Sequence, residues 1–490
     1  MNVVANEPAW TSVQRDSGIV YTRPLLGSEL MNDQFGRFYD GLAECCMGFT
    51  FESPFSMQEL HTRLRFAWAK LRFLCPNIAA SLEAGIHDPE LRSWVYLPAK
   101  DAQAVMEWVE RSVEILEEPM DTDDFIAMIN QRKLETPGKE DIMKCIMFRL
   151  QDRPSSYGLF MHGSHTIMDA RPTFSAFKIL FEAMVSDSSS DIMSAAWGTE
   201  WTNLPPGPVT STGGPRLGAD AAGFELLGKI KQAHEHRPVS HSLIAQRTET
   251  AGTGLSIRVH NTINPELARE LLKEVKALGC TVTHLFGAAQ ILAIFALNPV
   301  TDEQAPQANI AFPISIISLQ SWLTPEIQSK DRFISQMTLV PLRIDYSSFS
   351  SLSPGREQLS FIMRSLKDQW NFFLTNPHLP HLSAALMTLS SPRKPGITHN
   401  PLATTNTNLG VVDAVTPTIL YPNGDSTQAA LIKIHDMAFG HRLTMPNPLT
   451  HAWTMKSEIV IQVEANDIWD REHLQKYVDE IRRQALTLLP

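Results

Sequence analysis

Basic clusters are missing from this chain. Lys and Arg number 42 against 53 Asp and Glu in 490 residues, a formal net charge of -11. No stretch gathers cations into the patch that phosphate neutralisation requires. This excludes a general nucleic-acid binder and leaves any anionic ligand dependent on a local basic pocket. Cysteine is scarce. Cys45, Cys46, Cys75, Cys145 and Cys280 are odd in number and irregularly spaced, with no CxxC pair and no zinc-ligand pattern. They predict reduced, buried thiols rather than a disulfide framework or a structural metal. Long apolar runs are absent too. The longest, Ala288 to Leu297, is broken by Gln290 and falls short of the ~20 apolar residues that span a bilayer. The first residues, MNVVANEPAW, lack a basic segment followed by an apolar run, so no secretory signal is expected. Together these gaps predict a cytoplasmic protein with no membrane or nucleic-acid partner; a monomer is expected.

What is present is apolar: 43% of residues are hydrophobic and 19% charged, enough for a large core divided into two or three domains. Residues 1 to about 55 are weakly periodic, with room for one short helix and a strand. MQELHTRLRFAWAKLRFLC then spaces Leu60, Leu64, Ala67, Trp68, Leu71 and Leu74 at three and four residues, one apolar helix face stopped by Pro76. Ile78 to Leu82, Ser93 to Leu97 and Val113 to Leu116 read as strands and Asp123 to Lys133 as a helix. DIMKCIMFRL and YGLFMHG read as paired strands, and ARPTFSAFKILFEAMV as a helix. Residues 186 to about 223 are rich in Ser, Gly and Pro without a period, the composition of a linker or crossover. Beyond it, LSIRVHNTI is a strand, NPELARELLKEVKALG a helix capped by Asn264 with Pro265 first and Gly279 last, and TVTHLFGAAQILAIFAL a buried helix. NIAFPIS, QMTLVPLRID, TQAALIKIHDM and SEIVIQVEA read as strands, EQLSFIMRSLKDQWNFFL and the chain's end as helices. Both halves mix α and β. The predicted division is an N-terminal subdomain over 1–195, a crossover over 196–225 and a C-terminal subdomain over 226–490.

The chemistry-bearing stretch is YGLFMHGSHTIMDAR, Tyr157 to Arg171. Its apolar strand ends in a Gly-Ser turn that presents His165, the only one of sixteen histidines followed by an acid four residues later, Asp169. A neutral imidazole can take a proton from an alcohol, thiol or amine at neutral pH, which suffices for acyl transfer from a thioester if a donor stabilises the tetrahedral oxyanion. A structural reading competes. Asp169 directly precedes a helix with Pro172 in its first turn, where an N-cap aspartate belongs. A metal set of His162, His165 and Asp169 has the right residue types, but His162 continues the strand and points away, so no metal is expected.

At these residues the chain resembles the chloramphenicol acetyltransferase-like superfamily: BAHD-type acyltransferases, fungal trichothecene and alcohol acetyltransferases, and peptide-synthetase condensation domains. The family's HxxxD stands here as Ser164-His165-Thr166-Ile167-Met168-Asp169-Ala170, with Ser and Ala replacing the flanking His and Gly of the fuller form HHxxxDG. LRFLCPNIAASLE, IMKCIMFRLQDRPSSYGLFMHGSH, GCTVTHLFGAAQILAIFAL, QMTLVPLRID and TNLG at Thr407 to Gly410 match family landmarks in order. The BAHD DFGWG motif is missing. Its nearest counterpart, DMAFGHRLTMP at Asp436 to Pro446, keeps only Phe-Gly, which fits a fungal-type branch.

The resemblance implies a mixed α/β fold of two similar subdomains with a central tunnel. It implies His165 as general base and Asp169 as a structural residue turned from the tunnel and paired with an arginine, for which Arg343 is the candidate. Thr407 and Asn408 stand near the oxyanion, or cap the turn at Gly410. Arg393 and Lys394 form a basic loop for coenzyme A phosphates or a solvated turn. The expected activity is acyl-CoA-dependent O-acylation, with acetyl the expected group, of a hydroxyl on a secondary metabolite, with acyl-CoA and a small-molecule acceptor as partners and no cofactor. Amide condensation from a carrier-protein thioester, a donor-free cyclisation, and a non-catalytic binding role are the competing functions.

Overall fold

The computed structural model describes residues 6–85, 91–134, 142–151, 153–186, 189–215, 220–234, 238–329, 333, 335, 337–389 and 400–490. The helix predicted from the Leu60 periodicity spans Met57–Leu74. Ser56 caps it, its Oγ accepting from Glu59 N at 3.2 Å, and its buried face carries Leu60, Leu64, Ala67, Trp68 and Leu71. It packs against the helix Ala170–Met184, whose Phe174, Phe177, Leu180 and Phe181 are buried as their spacing predicts. Behind this pair lies a six-stranded sheet in the order Ile419–Leu420, Ile432–His441, Cys45–Glu52, Ser156–Gly163, Met143–Arg149, Val113–Ile115. Cys45–Glu52 and Ser156–Gly163 are buried at nearly every position, as strands covered on both faces must be.

The second lobe repeats the plan. Its six-stranded sheet runs Met337–Asp345, Asn309–Ser318, Thr405–Val411, Leu449–Met455, Glu458–Asn466, Ser256–Ile263. The helices Val282–Leu297, Arg356–Leu374 and Arg471–Leu486 pack together beside it. Val282–Leu297 is buried all round, which explains its lack of an amphipathic pattern. No single helix among the described residues is long and apolar enough to cross a membrane. All five cysteines are buried and free.

The chain does not divide at one point. Residues of the C-terminal half return to the first lobe, where Ile432–His441 pairs antiparallel with Cys45–Glu52 from Lys433↔Glu52 to His441↔Cys45. Ile432, Ile434, Met437 and Phe439 enter the core of that lobe. Arg442 fastens the end of this strand, donating to Asp40 Oδ2 at 2.7 Å and to the carbonyls of Asp40, Asn130 and Gln131. The crossover is also more structured than its composition suggests. Buried Glu200 accepts from Tyr96 Oη and Ala99 N, both at 2.7 Å, and Trp201 stacks on Tyr21 at 4.2 Å. A separate four-stranded sheet, Thr11–Arg15, Gly18–Pro24, Arg92–Tyr96 and Ser81–Ala84, begins in the stretch where the sequence has little period.

Candidate active site

The strand Ser156–Gly163 delivers the His165 turn as predicted. The carbonyl of Ser164 accepts from Ile167 N at 3.1 Å and Met168 N at 3.0 Å, and its Oγ accepts from Thr166 N at 3.2 Å. Ser164 therefore closes the turn through both its carbonyl and its side chain. Asn32 Nδ2 donates to the His165 carbonyl at 3.1 Å, leaving the imidazole to face a cavity of about 150 Å³ lined from both lobes by His165, Asp169, Arg171, Thr407, His441 and His451 among others. The ring is half-buried, and among the described residues no group hydrogen-bonds its Nδ1. Burial first, and then the charge of His441, hold His165 below the ordinary histidine value, against the pull of Asp169 and of the His165 and Met168 carbonyls. His162 lies on the opposite face of its strand, where burial first, then Arg132, Lys144 and Arg442, push it down to about 3.

Asp169 is the N-cap of Ala170–Met184, its Oδ1 accepting from Ala170 N at 2.7 Å while its carbonyl accepts from Thr173 N and Oγ1. The capping reading and the site reading thus coincide in one residue, which stands at the cavity wall. Asp169→Asn, which keeps the acceptor, is expected to leave stability unchanged, whereas Asp169→Ala should cost about 0.5–2 kcal/mol. Urea midpoints of the two variants check this.

Arg343 is not its partner. It sits on the edge strand Met337–Asp345, where its Nε donates to Asp345 Oδ1 at 3.1 Å and its Nη2 to the Pro238 carbonyl at 3.3 Å. Strand alternation puts 343 and 345 on one face, so the acid two residues on takes the guanidinium. Thr407 and Asn408 do reach the cavity on Thr405–Val411. Thr407 Oγ1 lies 3.3 Å from His451 Nδ1, while the Asn408 amide is committed to Thr283 Oγ1 at 3.2 Å and to Gly410 N at 2.8 Å. Gly410 has φ +80°, and a Cβ there would meet the Arg171 guanidinium; both explain the glycine. Arg393 and Lys394 lie outside the described residues.

The sequence reading did not single out His441, His451 or Glu464. The rings of His165 and His441 are 6.0 Å apart and tilted by 21°, those of His441 and His451 5.3 Å and 20°. Phe439 stands edge-on to both His441 and His451. Glu464, 1% exposed, accepts at Oε2 from His441 Nδ1 and from His441 N, both at 3.0 Å, and at Oε1 from Gln462 Nε2. Burial would lower the His441 value, but Cys45 and Glu464 reverse this and push it up to about 10. Burial, His441 and His165 push His451 well down. The donor atoms of His441, His451 and Glu464 all lie within 4.8 Å of one another, close enough to hold a metal ion. The three protein donors on the Glu464 carboxylate define it instead as the anion of a histidinium–carboxylate pair. The cavity thus presents two neutral imidazoles and one cation.

No family model matches the chain. Two curated relatives, each an acyl-CoA-dependent acyltransferase MAC1, are 24% identical to it. The one from Pseudozyma antarctica (strain T-34) aligns over 75% of this chain and 71% of its own length. The one from Mycosarcoma maydis aligns over 66% and 58%, so the chain spans under two thirds of that relative. Both are fungal, in keeping with the expected branch. Among solved structures, TRI3 trichothecene 15-O-acetyltransferase from Fusarium sporotrichioides has a TM-score of 0.81 at 17% identity, covering 100% of this chain and 99% of that one. The condensation domain of the Monacolin K polyketide synthase MokA has a TM-score of 0.57 at 10% identity over 96% of each chain.

Proposed function

We propose, from the premise that this chain is an acyltransferase of the chloramphenicol acetyltransferase-like fold, that it transfers an acyl group, acetyl being the expected one, from coenzyme A to a hydroxyl of a small-molecule secondary metabolite. The observation that carries the reading is His165, held neutral on a turn between strand and helix and facing a cavity walled by both lobes. In this reading His165 takes the hydroxyl proton as the acceptor oxygen attacks the thioester carbonyl. The C–S bond then breaks, and the same imidazole returns the proton to the departing thiolate, leaving an ester and free coenzyme A. No enzyme nucleophile enters the balance. Asp169 holds the turn by capping the helix, and the Thr407 hydroxyl at the cavity wall is a candidate donor to the developing oxyanion.

The test is incubation of the protein with labelled acetyl-CoA and a panel of hydroxylated terpenoids, polyketides and alkaloids. Label is expected in an ester product, with equimolar release of free coenzyme A. Acylation only of amines, or turnover only with a carrier-protein thioester, would move the function to the condensation reading.

A further inference from the structure

The Cys45–Glu52 strand and its neighbour Ile432–His441 end together with Cys45 directly opposite His441 in register, so both side chains leave the same sheet face toward the cavity. His441, 7% exposed, is oriented from behind. Its Nδ1 donates to Glu464 Oε2 at 3.0 Å, and Glu464 is itself oriented by Gln462 Nε2. The direction of that amide is fixed in turn, because Gln462 Oε1 accepts from Arg258 Nη1 at 3.0 Å. With a guanidinium on its oxygen, Gln462 has only its N–H groups to offer the carboxylate. The chain of bonds therefore fixes Glu464 as the acceptor and His441 Nδ1 as a donor, an arrangement in which the buried carboxyl group beside the ring favours a second proton on it. That ring stacks 6.0 Å from His165.

We propose that His441 is a fixed cation of the site, anchored through Glu464, Gln462 and Arg258, whose charge keeps His165 in its neutral, proton-accepting form. His441 is thus a positioning residue for the base. The inference rests on His165 acting as that base. The titratable and charged groups facing His165 are Asp169 from its own turn, Arg171 from the following helix, Cys45 and His441 from the ends of the two adjacent strands of the same sheet, and His451 from the other lobe. Of these Asp169 attracts a proton to His165 and His441 repels it, while His451 is neutral. Removing the His441 charge leaves Asp169 unopposed by it, and His165 should protonate at higher pH.

The experiment is an NMR titration of the full chain carrying 13C-labelled histidine, with His165 and His441 assigned by substitution. In the native protein His441 should stay protonated through neutral pH and His165 should titrate below the ordinary ~6.5. Glu464→Gln, which keeps the ring but removes the carboxylate bonded to it while Cys45 stays, and His441→Asn, which removes the ring, should each raise the His165 midpoint, the second by about one to two pH units. The acidic limb of kcat/KM should move upward by the same amount. A His165 midpoint unmoved in whichever variant folds overturns the proposal. So does a native His441 that titrates below pH 7, or one equivalent of zinc retained by the purified protein and lost in Glu464→Gln. The NMR midpoint needs no turnover, so failure of this proposal and failure of acyl transfer are read by separate measurements.

Discussion

His165→Ala should lower kcat/KM for acyl transfer by about 10²–10⁴-fold, the usual contribution of a general base that also returns its proton. Stability should barely change. The contact of Asn32 Nδ2 with the His165 carbonyl belongs to the backbone and survives the substitution. Coenzyme A binding, measured by calorimetry, should also persist, because the loss is in the chemical step. The cavity offers a control. His451 is the other neutral imidazole there and His441 the charged one, so only His451 has a lone pair free to substitute as base. If His165→Ala keeps more than a tenth of native turnover and His451→Ala does not, the base is His451 and the turn is structural. Rescue of His165→Ala by added imidazole would support the assignment from the opposite direction.

Local signals in this sequence were legible and distant ones were not. The Met57–Leu74 and Pro265–Ala277 helices have their caps and apolar faces written at fixed offsets, and Asn264 accepts from Leu267 N at 2.9 Å as its position predicts. The His165 turn is similarly local, since strand, small residues and N-cap are contiguous. Arg343 failed for a reason that alternation cannot overcome. A strand pattern tells which residues share a face but not which of them meets another lobe, and here the partner is Asp345 on the same face. The cluster behind His165 was invisible because its members lie on separate strands. His441 belongs to the sheet of the first lobe and Glu464 to that of the second, so their meeting depends on the return of Ile432–His441 across the lobes. In SEIVIQVEA the alternation read correctly as a strand, but alternation does not tell that its Glu464 is buried. The one available signal is His441 itself, directly after Phe439-Gly440 in the stretch Asp436 to Pro446. The hairpin Thr11–Pro24 lacks period because its first strand is exposed throughout, and an exposed strand has no apolar face to reveal it.

Gly48→Ala is expected to be the most destabilising small substitution in the first lobe, by about 3–5 kcal/mol, beyond ordinary overpacking because a backbone atom is involved. Gly48 lies mid-strand in Cys45–Glu52, opposite Phe160 on one side and Ala438 on the other. A Cβ there would overlap both the Leu159 carbonyl oxygen and the Phe160 ring. The ring covers the glycine and packs against Phe125 and Phe148, with centroids 4.8 and 5.8 Å away, so it cannot leave without opening that cluster. The carbonyl cannot rotate away without breaking the ladder. Urea midpoints of Gly48→Ala, Phe160→Leu and the double variant separate the two clashes. If the ring dominates, the double variant should be more stable than the sum of the single losses; if the carbonyl dominates, the losses should add. The effect should reach the site as well. Gly48 separates the strand that ends at His441 from the strand that leads to His165, so pushing the two apart widens the 6.0 Å stack between the histidines. Whatever fraction of Gly48→Ala folds should therefore lose up to ~10²-fold in turnover per folded molecule, and its acidic limb should shift in the same direction as that of Glu464→Gln. A variant that folds with native activity would mean that the sheet absorbs the extra carbon without moving either histidine.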